Sequence, residues 1–351
     1  MSLLWLDGFD WMAEMSYANS QYALKKRYRG VNLGAGSPDG IIAEGRQGGR
    51  AVQFNAMAQF IQTASIQDPT DSDHVYLGYA LRTGSTTGHN VPVMQILSGT
   101  GDQCSLFLWS DGSGQLWPGG GKFDTTLRPN RWYYIEMHFY IDNAGSAEFK
   151  VNGEVVHTVP SGDFRDDSAV GWNNIILYSH GSGSRIDDIY ACNDQGATNN
   201  TYLGDTRVVM LNPTADDTTQ WVQSGGGGHY QDVDDNPVTP PDAEVWTDDD
   251  YIESGTTSNK DLFEYENLPA AMSGAAIKAV QCFSVIRTTN AQVMSFKDIC
   301  KSGTTEIDLS TTAIMWDNYH PLVTIQETDP DTAGAWTYTT VNAALFGVKV
   351  G

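Results

Sequence analysis

The sequence predicts an all-β protein built as two β-sandwich domains. Three observations predict it: apolar and polar side chains alternate along many short segments, turn residues separate those segments, and no long amphipathic helix pattern interrupts the first half. Composition agrees, with 36 Gly, 16 Tyr, 12 Phe and 10 Trp suiting short strands joined by tight turns. At 351 residues the chain is long for one core and comfortable for two.

Taken in order, Val75, Leu77, Tyr79 and Leu81 form one face of a strand. In 131–141, Tyr133, Ile135, Met137, Phe139 and Ile141 make a dry face, opposite Trp132, Tyr134, Glu136, His138 and Tyr140. Residues 147–151 and 154–159 flank Asn152-Gly153, a pair suited to the positive φ angles of a type I′ hairpin turn. Strands over 174–180 and 184–192 complete the first set. The alternation stops in the polar run 192–200, which places the domains at 1–196 and 197–351. Further on, 207–211, 261–265, 276–288, 291–301, 316–326 and 345–350 read as strands, with one helical turn within 339–345. Four glycines at 225–228 and Pro237, Pro240 and Pro241 make the stretch between a surface loop. The apolar termini, Leu3 to Leu6 and Ala344 to Val350, are either ordinary strands or docking surfaces.

Charge excludes some functions. The formal net charge is −23, with 13 basic and 21 acidic residues in 1–196 against 7 and 22 in 197–351. Such a surface repels phosphate backbones, so no nucleic-acid partner is expected. No run approaches the roughly 18 apolar residues of a membrane span, so no membrane partner is expected either. The opening residues lack the basic region of a signal peptide. Cys104, Cys192, Cys282 and Cys300 show no C-x-x-C spacing, and reduced thiols are expected, as in a reducing cytoplasm.

Catalytic machinery is sparse. Glycan hydrolysis needs two carboxylates across the scissile bond, and the central strand 131–141 offers only Glu136, beside His138. Asp248 to Glu253 forms an acidic cluster, but in the other domain. Gly34 to Gly40 loosely matches a dinucleotide loop, yet Pro38 stands where a helix would start. Neither a Gly-x-Ser-x-Gly elbow nor a zinc-type His pair occurs. No catalytic residue and no required cofactor is therefore expected. Two binding sets remain. Trp109, Trp117, Trp132 and Trp172 are sheet packing first, and glycan-stacking rings second. The acidic turns are solvated loops first; as calcium ligands the candidates are Asp232, Asp234, Asp235, Asp248 and Asp250, with Asp71 and Asp73 a further pair.

These motifs, in this order, carry a resemblance. "LWLDGFDW", "RWYYIEMHFYI", "AEFKVNGEVVHTV" and "IILYSHGSGSRIDDIYACND" resemble the laminin-G/concanavalin-A-like jelly roll over roughly residues 1–194. "GDTRVVMLNPTADDTTQW", "YQDVDD", "DDDYIESGTTSNKDLFEYENLP" and "ETDPDTAGAWTYTTVNAALFGVKV" resemble a C-terminal module of tailed-bacteriophage virion proteins. The resemblance implies a non-enzymatic structural protein on the particle surface, as capsid decoration or tail-fibre component, assembled in the host cytoplasm. Its implied partners are other virion proteins and copies of itself. A receptor-binding lectin for host surface glycan is the alternative, and a glycan depolymerase the third reading.

Overall fold

The structure, a computed structural model, describes residues 2–12, 24–25, 27–33, 42–63, 66, 72–84, 92–98, 101–109, 111–125, 127–165, 171–234, 250–289, 293–310, 312–314 and 320–351. Strand accounts for 51% of the chain and helix for 6%, so the protein is all-β, as the alternation predicts. The chain divides into two compact units, Met1–Val208 and Val209–Gly351.

The first unit contributes β1 (Leu3–Asp7), β2 (Tyr28–Asn32), β3 (Ile42–Glu44), β4 (Arg50–Phe54), β5 (Phe60–Thr63), β6 (His74–Arg82), β7 (Met94–Ser98) and β8 (Gly101–Leu108). It continues with β9 (Ser113–Trp117), β10 (Lys122–Asp124), β11 (Trp132–Tyr140), β12 (Gly145–Val151), β13 (Glu154–Gly162), β14 (Asn174–Tyr178) and β15 (Ser184–Cys192). One antiparallel sheet runs β13-β12-β11-β6-β15-β4-β3, with β1 also paired to β15. The other runs β10-β9-β8-β7-β14-β5-β2. Most neighbours are far apart in sequence, as in a jelly-roll sandwich rather than a meander.

The predicted dry faces form the core between these sheets. Val75, Leu77, Leu81, Ile135, Met137 and Phe139 from the first sheet are fully buried, as are Met94, Ile96, Leu106 and Leu116 from the second. Each such side chain contributes about 1.5–3 kcal/mol by leaving water. Ring contacts link the sheets at two places: Trp5 to Tyr28 at 5.8 Å between centroids, and Phe123 to Phe149 at 5.4 Å. The β12–β13 turn is as predicted, with φ of +50° at Asn152 and +83° at Gly153. Asn152 also accepts a hydrogen bond from the Tyr134 amide at 2.8 Å, fastening the hairpin to β11.

The second unit contributes β16 (Pro213–Thr219), β17 (Val222–Gln223), β18 (Ile252–Glu253), β19 (Lys260–Tyr265), β20 (Val280–Ile286) and β21 (Met294–Ser302). Next come β22 (Thr305–Asp308), β23 (Thr312–Ile314), β24 (His320–Gln326), α1 (Tyr338–Ala343) and β25 (Leu345–Val350). The main sheet runs β16-β19-β25-β21-β22, with β23 also paired to β21, and β20 pairs with β24 as a separate ribbon. Cys300, Trp336, Val341, Ala344 and Phe346 form its core, and Val280 and Cys282 of the ribbon pack against it. Ribbon on sheet makes a small two-layer structure. Thr337 caps α1 by accepting from the Thr340 amide, so the predicted helical turn is present.

Several expectations are corrected. Residues 207–211 are not a strand: the Val208 amide donates to the Asp188 side chain at 2.8 Å instead of to a ladder. Residues 276–279 stay outside β20. The apolar termini need no correction: of the two readings left open for them, the first-named, ordinary strands, holds, since Leu3, Trp5, Phe346 and Val350 are buried and β25 lies inside its sheet. Residues 197–208, placed in the second domain by their polar composition, fall with the first unit. All four cysteines are free thiols.

Candidate functional site

The face of the first sheet that points away from the core carries Glu136, the one carboxylate on the central strand. Its neighbour across the sheet is Gly78 on β6, and Tyr190 on β15 pairs with Gly78 in turn. A Cβ at Gly78 would stand 2.0 Å from the Tyr190 ring, so only glycine lets that ring lie across β6 toward Glu136. The Tyr190 hydroxyl donates to Glu136 Oε1 at 2.7 Å, and the Gly204 amide donates to the same oxygen at 2.9 Å. The Leu203 amide donates to the Tyr190 hydroxyl at 3.1 Å. Residues 201–208 thus lie over this face as a strap, and Glu136 is only 2% exposed.

The strap is fastened further along. Arg46 pairs with Asp188 at 3.2 Å and donates to the Thr206 carbonyl at 2.8 Å, with its guanidinium 5.0 Å from the Tyr134 ring centroid. Tyr134 itself hydrogen-bonds Thr206, and Cys192 lies beneath the Thr201 carbonyl. Asp187 accepts from the Arg46 and Asp188 amides at 2.9 and 2.8 Å. Burial pushes the carboxyls of both Asp187 and Asp188 well above the usual range, Asp187 further because Asp188 adds repulsion. Sequence reasoning passed over Arg46, Asp187, Asp188 and Tyr190. The available signal was two adjacent acids inside the otherwise apolar run 186–192.

At the end of the same face, Tyr140, His74, His138 and Tyr76 stack with neighbouring centroids 4.5, 5.2 and 4.3 Å apart. His74 Nδ1 and His138 Nε2 share a hydrogen bond of 2.9 Å. Burial first, and His74 second, push the His138 imidazole down to about 4, so it is neutral at physiological pH. Glu136 is thus held by Tyr190 and the strap, and His138 by the ring stack.

The outward face of the second sheet is different. Register places Gln62, Ile176, Gln95, Ser105 and Trp117 in one row across β5, β14, β7, β8 and β9. The Tyr178 hydroxyl donates to Gln95 Oε1 at 2.6 Å, while Gln95 Nε2 donates to Asp102 at 2.9 Å, which fixes the amide. Phe107 stacks on Trp109 at 5.9 Å, and the Lys122 ammonium lies 5.4 Å from the Trp109 centroid. Trp109 and Trp117 are both half-buried there. The other two predicted rings are elsewhere. Trp132 is on β11 of the first sheet. Trp172 is buried, donating from its indole to the His74 carbonyl at 3.2 Å, and is a packing residue.

Of the calcium candidates, Asp71, Asp235 and Asp248 lie outside the described residues. Asp73 pairs with Arg165 at 3.4 Å. Asp232, Asp234 and Asp250 come together: a Cβ on Gly225 would meet both Asp232 Oδ1 and Asp250 Cβ, and burial, then Asp250, then Asp232 hold the Asp234 carboxyl above its usual range. Among the described residues, no group of three or more His, Cys, Asp or Glu side chains is placed to hold a metal ion, Asp232, Asp234 and Asp250 included.

No protein-family model matches the chain, and no curated protein does. Solved structures give partial likenesses. A Trypanosoma rangeli sialidase is 13% identical with a TM-score of 0.32 over 46% of this chain, which spans 29% of that enzyme. The alginate lyase vAL-1 from Chlorella virus is 10% identical with a TM-score of 0.36 over 52% of this chain and 99% of its own. Domain 4 of the Geobacillus stearothermophilus arabinanase AbnA, bound to arabinotriose, is 16% identical with a TM-score of 0.35, over 54% and 91%. No role of this chain is read from these likenesses.

Proposed function

We propose that this chain is a non-enzymatic structural protein of a tailed-bacteriophage particle, exposed on its surface and docked on other virion proteins. The observation that carries the non-enzymatic part is Glu136, sealed by Tyr190 and Gly204 instead of facing a cleft with a second carboxylate. The virion part is supported by the resemblance of sequence strings in both units. The surface of the second unit is acidic, with 21 acidic and 6 basic residues in 209–351, and suits solvent better than packaged DNA. The test is mass spectrometry of purified particles of the phage encoding the chain, together with its mass in solution. Multiple copies per particle are expected; a monodisperse monomer absent from particles overturns the reading.

Glycan recognition is the second reading, and the observation favouring it is the second sheet's outward face. Trp109 and Trp117 share that face with the fixed amide of Gln95, and sugars use such a combination of stacking surface and directed hydrogen bonds. Binding on a host-glycan array, lost in both Trp109→Ala and Trp117→Ala while the fold survives, is the expected result. An array without signal, or signal indifferent to both substitutions, removes it.

A further inference from the structure

The start of the strap rests against a bond that depends on one proton. His74 Nδ1 and His138 Nε2 stand 2.9 Å apart, with the two rings within 10° of parallel. Such a nitrogen-to-nitrogen bond needs a proton on one partner and a lone pair on the other. Two neutral imidazoles satisfy it, and so does one imidazole with one imidazolium. Two imidazoliums cannot, because both nitrogens then carry N–H and two positive charges meet at contact distance. The strap touches this pair: Tyr202 sets its ring edge-on to Tyr76 at 5.2 Å and to His138 at 6.4 Å between centroids. The Lys150 ammonium lies 3.6 Å from the Tyr202 centroid, and the Tyr202 hydroxyl donates to the Glu148 carbonyl at 3.4 Å. Beyond Tyr202, the Leu203 and Gly204 amides donate to Tyr190 and Glu136.

The charges around the pair decide where protons go. From β6 it faces Tyr76, from β11 Tyr140 and Glu136, and from β12 Glu148 and Lys150. Cys192 at the end of β15 lies by Tyr76, with Asp194 just past it. Most of the acids are engaged elsewhere: Glu136 by Tyr190 and Gly204, Glu148 by Lys150 at 3.2 Å, and Asp73 by Arg165 at 3.4 Å. Asp194 stands 3.9 Å from His74 Nε2, whose side chain is 31% exposed, so a first proton settles on His74. A second has to enter His138. Burial first, then His74, with Lys150 adding to them against Asp194, holds that ring down to about 4. We propose that the His74–His138 pair is an acid-released latch: a second proton breaks the ring-to-ring bond, and residues 201–204 leave the sheet with Tyr202. The closed strap binds that proton more weakly than the open one. Closure is therefore favoured at neutral pH and lost as pH falls from about 6.5 toward about 4. Release uncovers Glu136, Tyr190 and Cys192, while Arg46 and Asp188 keep the far end of the strap in place. The latch stands independently of the virion and glycan readings.

The test follows amide exchange by NMR in the full chain from about pH 7 to 4, corrected for the intrinsic pH dependence of exchange. Protection of the Leu203 and Gly204 amides should fall at least about tenfold over that range, while Met137 in the middle of β11 stays protected. His138→Phe keeps a ring in the column but cannot titrate, and there the fall should disappear. His74→Gln supplies an amide that can accept from an imidazolium, so the fall should shrink to less than about threefold. Should His138→Phe lack a cooperative melt, His74→Gln, on the more open position, carries the test. The parent gives a second readout, since the His138 ring should titrate with the same midpoint as the loss of protection. A fall of equal size in parent and variants overturns the proposal, because carboxylates such as Glu136 then drive it. Unchanged protection at about pH 4 in the parent overturns it too. So does loss of protection at Met137 in step with the strap, since the whole unit then opens.

Discussion

Gly78→Ala tests the strap most directly. The new Cβ would stand 2.0 Å from Tyr190 Cε1 and 2.6 Å from its Cζ, both in a ring buried to 2% exposure. The ring cannot stay, and overpacking of this kind costs about 1–3 kcal/mol. Moving it also strains or breaks the hydrogen bonds from Tyr190 to Glu136 and from Leu203 to Tyr190, about 1 kcal/mol each or somewhat more for the charged one. Against this, alanine in a strand gains about 0.5–1 kcal/mol over glycine. The balance is a loss of about 2–4 kcal/mol, or very roughly 5–15 °C in Tm for a unit of this size. Because two units need not unfold together, the assay should report on the first unit alone. Native-state labelling of Cys192 does so, since that thiol is buried under Thr201 of the strap. A double-mutant cycle isolates the cause. With Tyr190→Ala already present, Gly78→Ala should cost nothing or stabilise. Equal costs in both backgrounds would refute the steric argument, and unchanged Cys192 labelling in Gly78→Ala would refute the strap's dependence on Tyr190.

Two further predictions concern pH. The folded-state values of Asp187 and Asp188 are raised, so their contribution to stability is full below the unfolded value near pH 4 and declines as pH rises through the raised values. Asp187→Asn should flatten that decline in denaturant titrations from about pH 5 to 9; an unaltered slope rejects it. His138 has the opposite sign, being an imidazole pushed down to about 4. Its contribution is present above the unfolded value near 6.5 and is lost as pH falls toward about 4. NMR titration should show the His138 ring still neutral at about pH 5.5, and a midpoint above about 6 contradicts the buried stack.

Much of the architecture was readable from local pattern. A period of two can bury only one face of a strand, so Ile135, Met137 and Phe139 had to point to a core wherever β11 lay. Asn152-Gly153 named its own turn, because the backbone angles it adopts are nearly free for those residues alone. What pattern could not convey was which surface would be covered. Tyr134 and Glu136 occupy the polar register of β11, yet both are buried, since a segment more than 60 residues later folds over them.

The sequence by itself determined the strand content, the principal hairpin and the identity of the core faces, all of which follow from neighbours within about ten residues. Tertiary structure alone decided the rest. It put Trp117 in the second sheet, with Trp109 just past the end of β8 there, and Trp132 in the first, made Trp172 a packing residue, and brought Asp232 and Asp250 together beside Gly225. It also turned residues 201–208 from an apparent start of the second domain into the cover of the first. The physical reason is range: alternation and turn chemistry act through adjacent backbone, whereas burial of a polar face or convergence of carboxylates depends on contacts whose sequence separation no local pattern records.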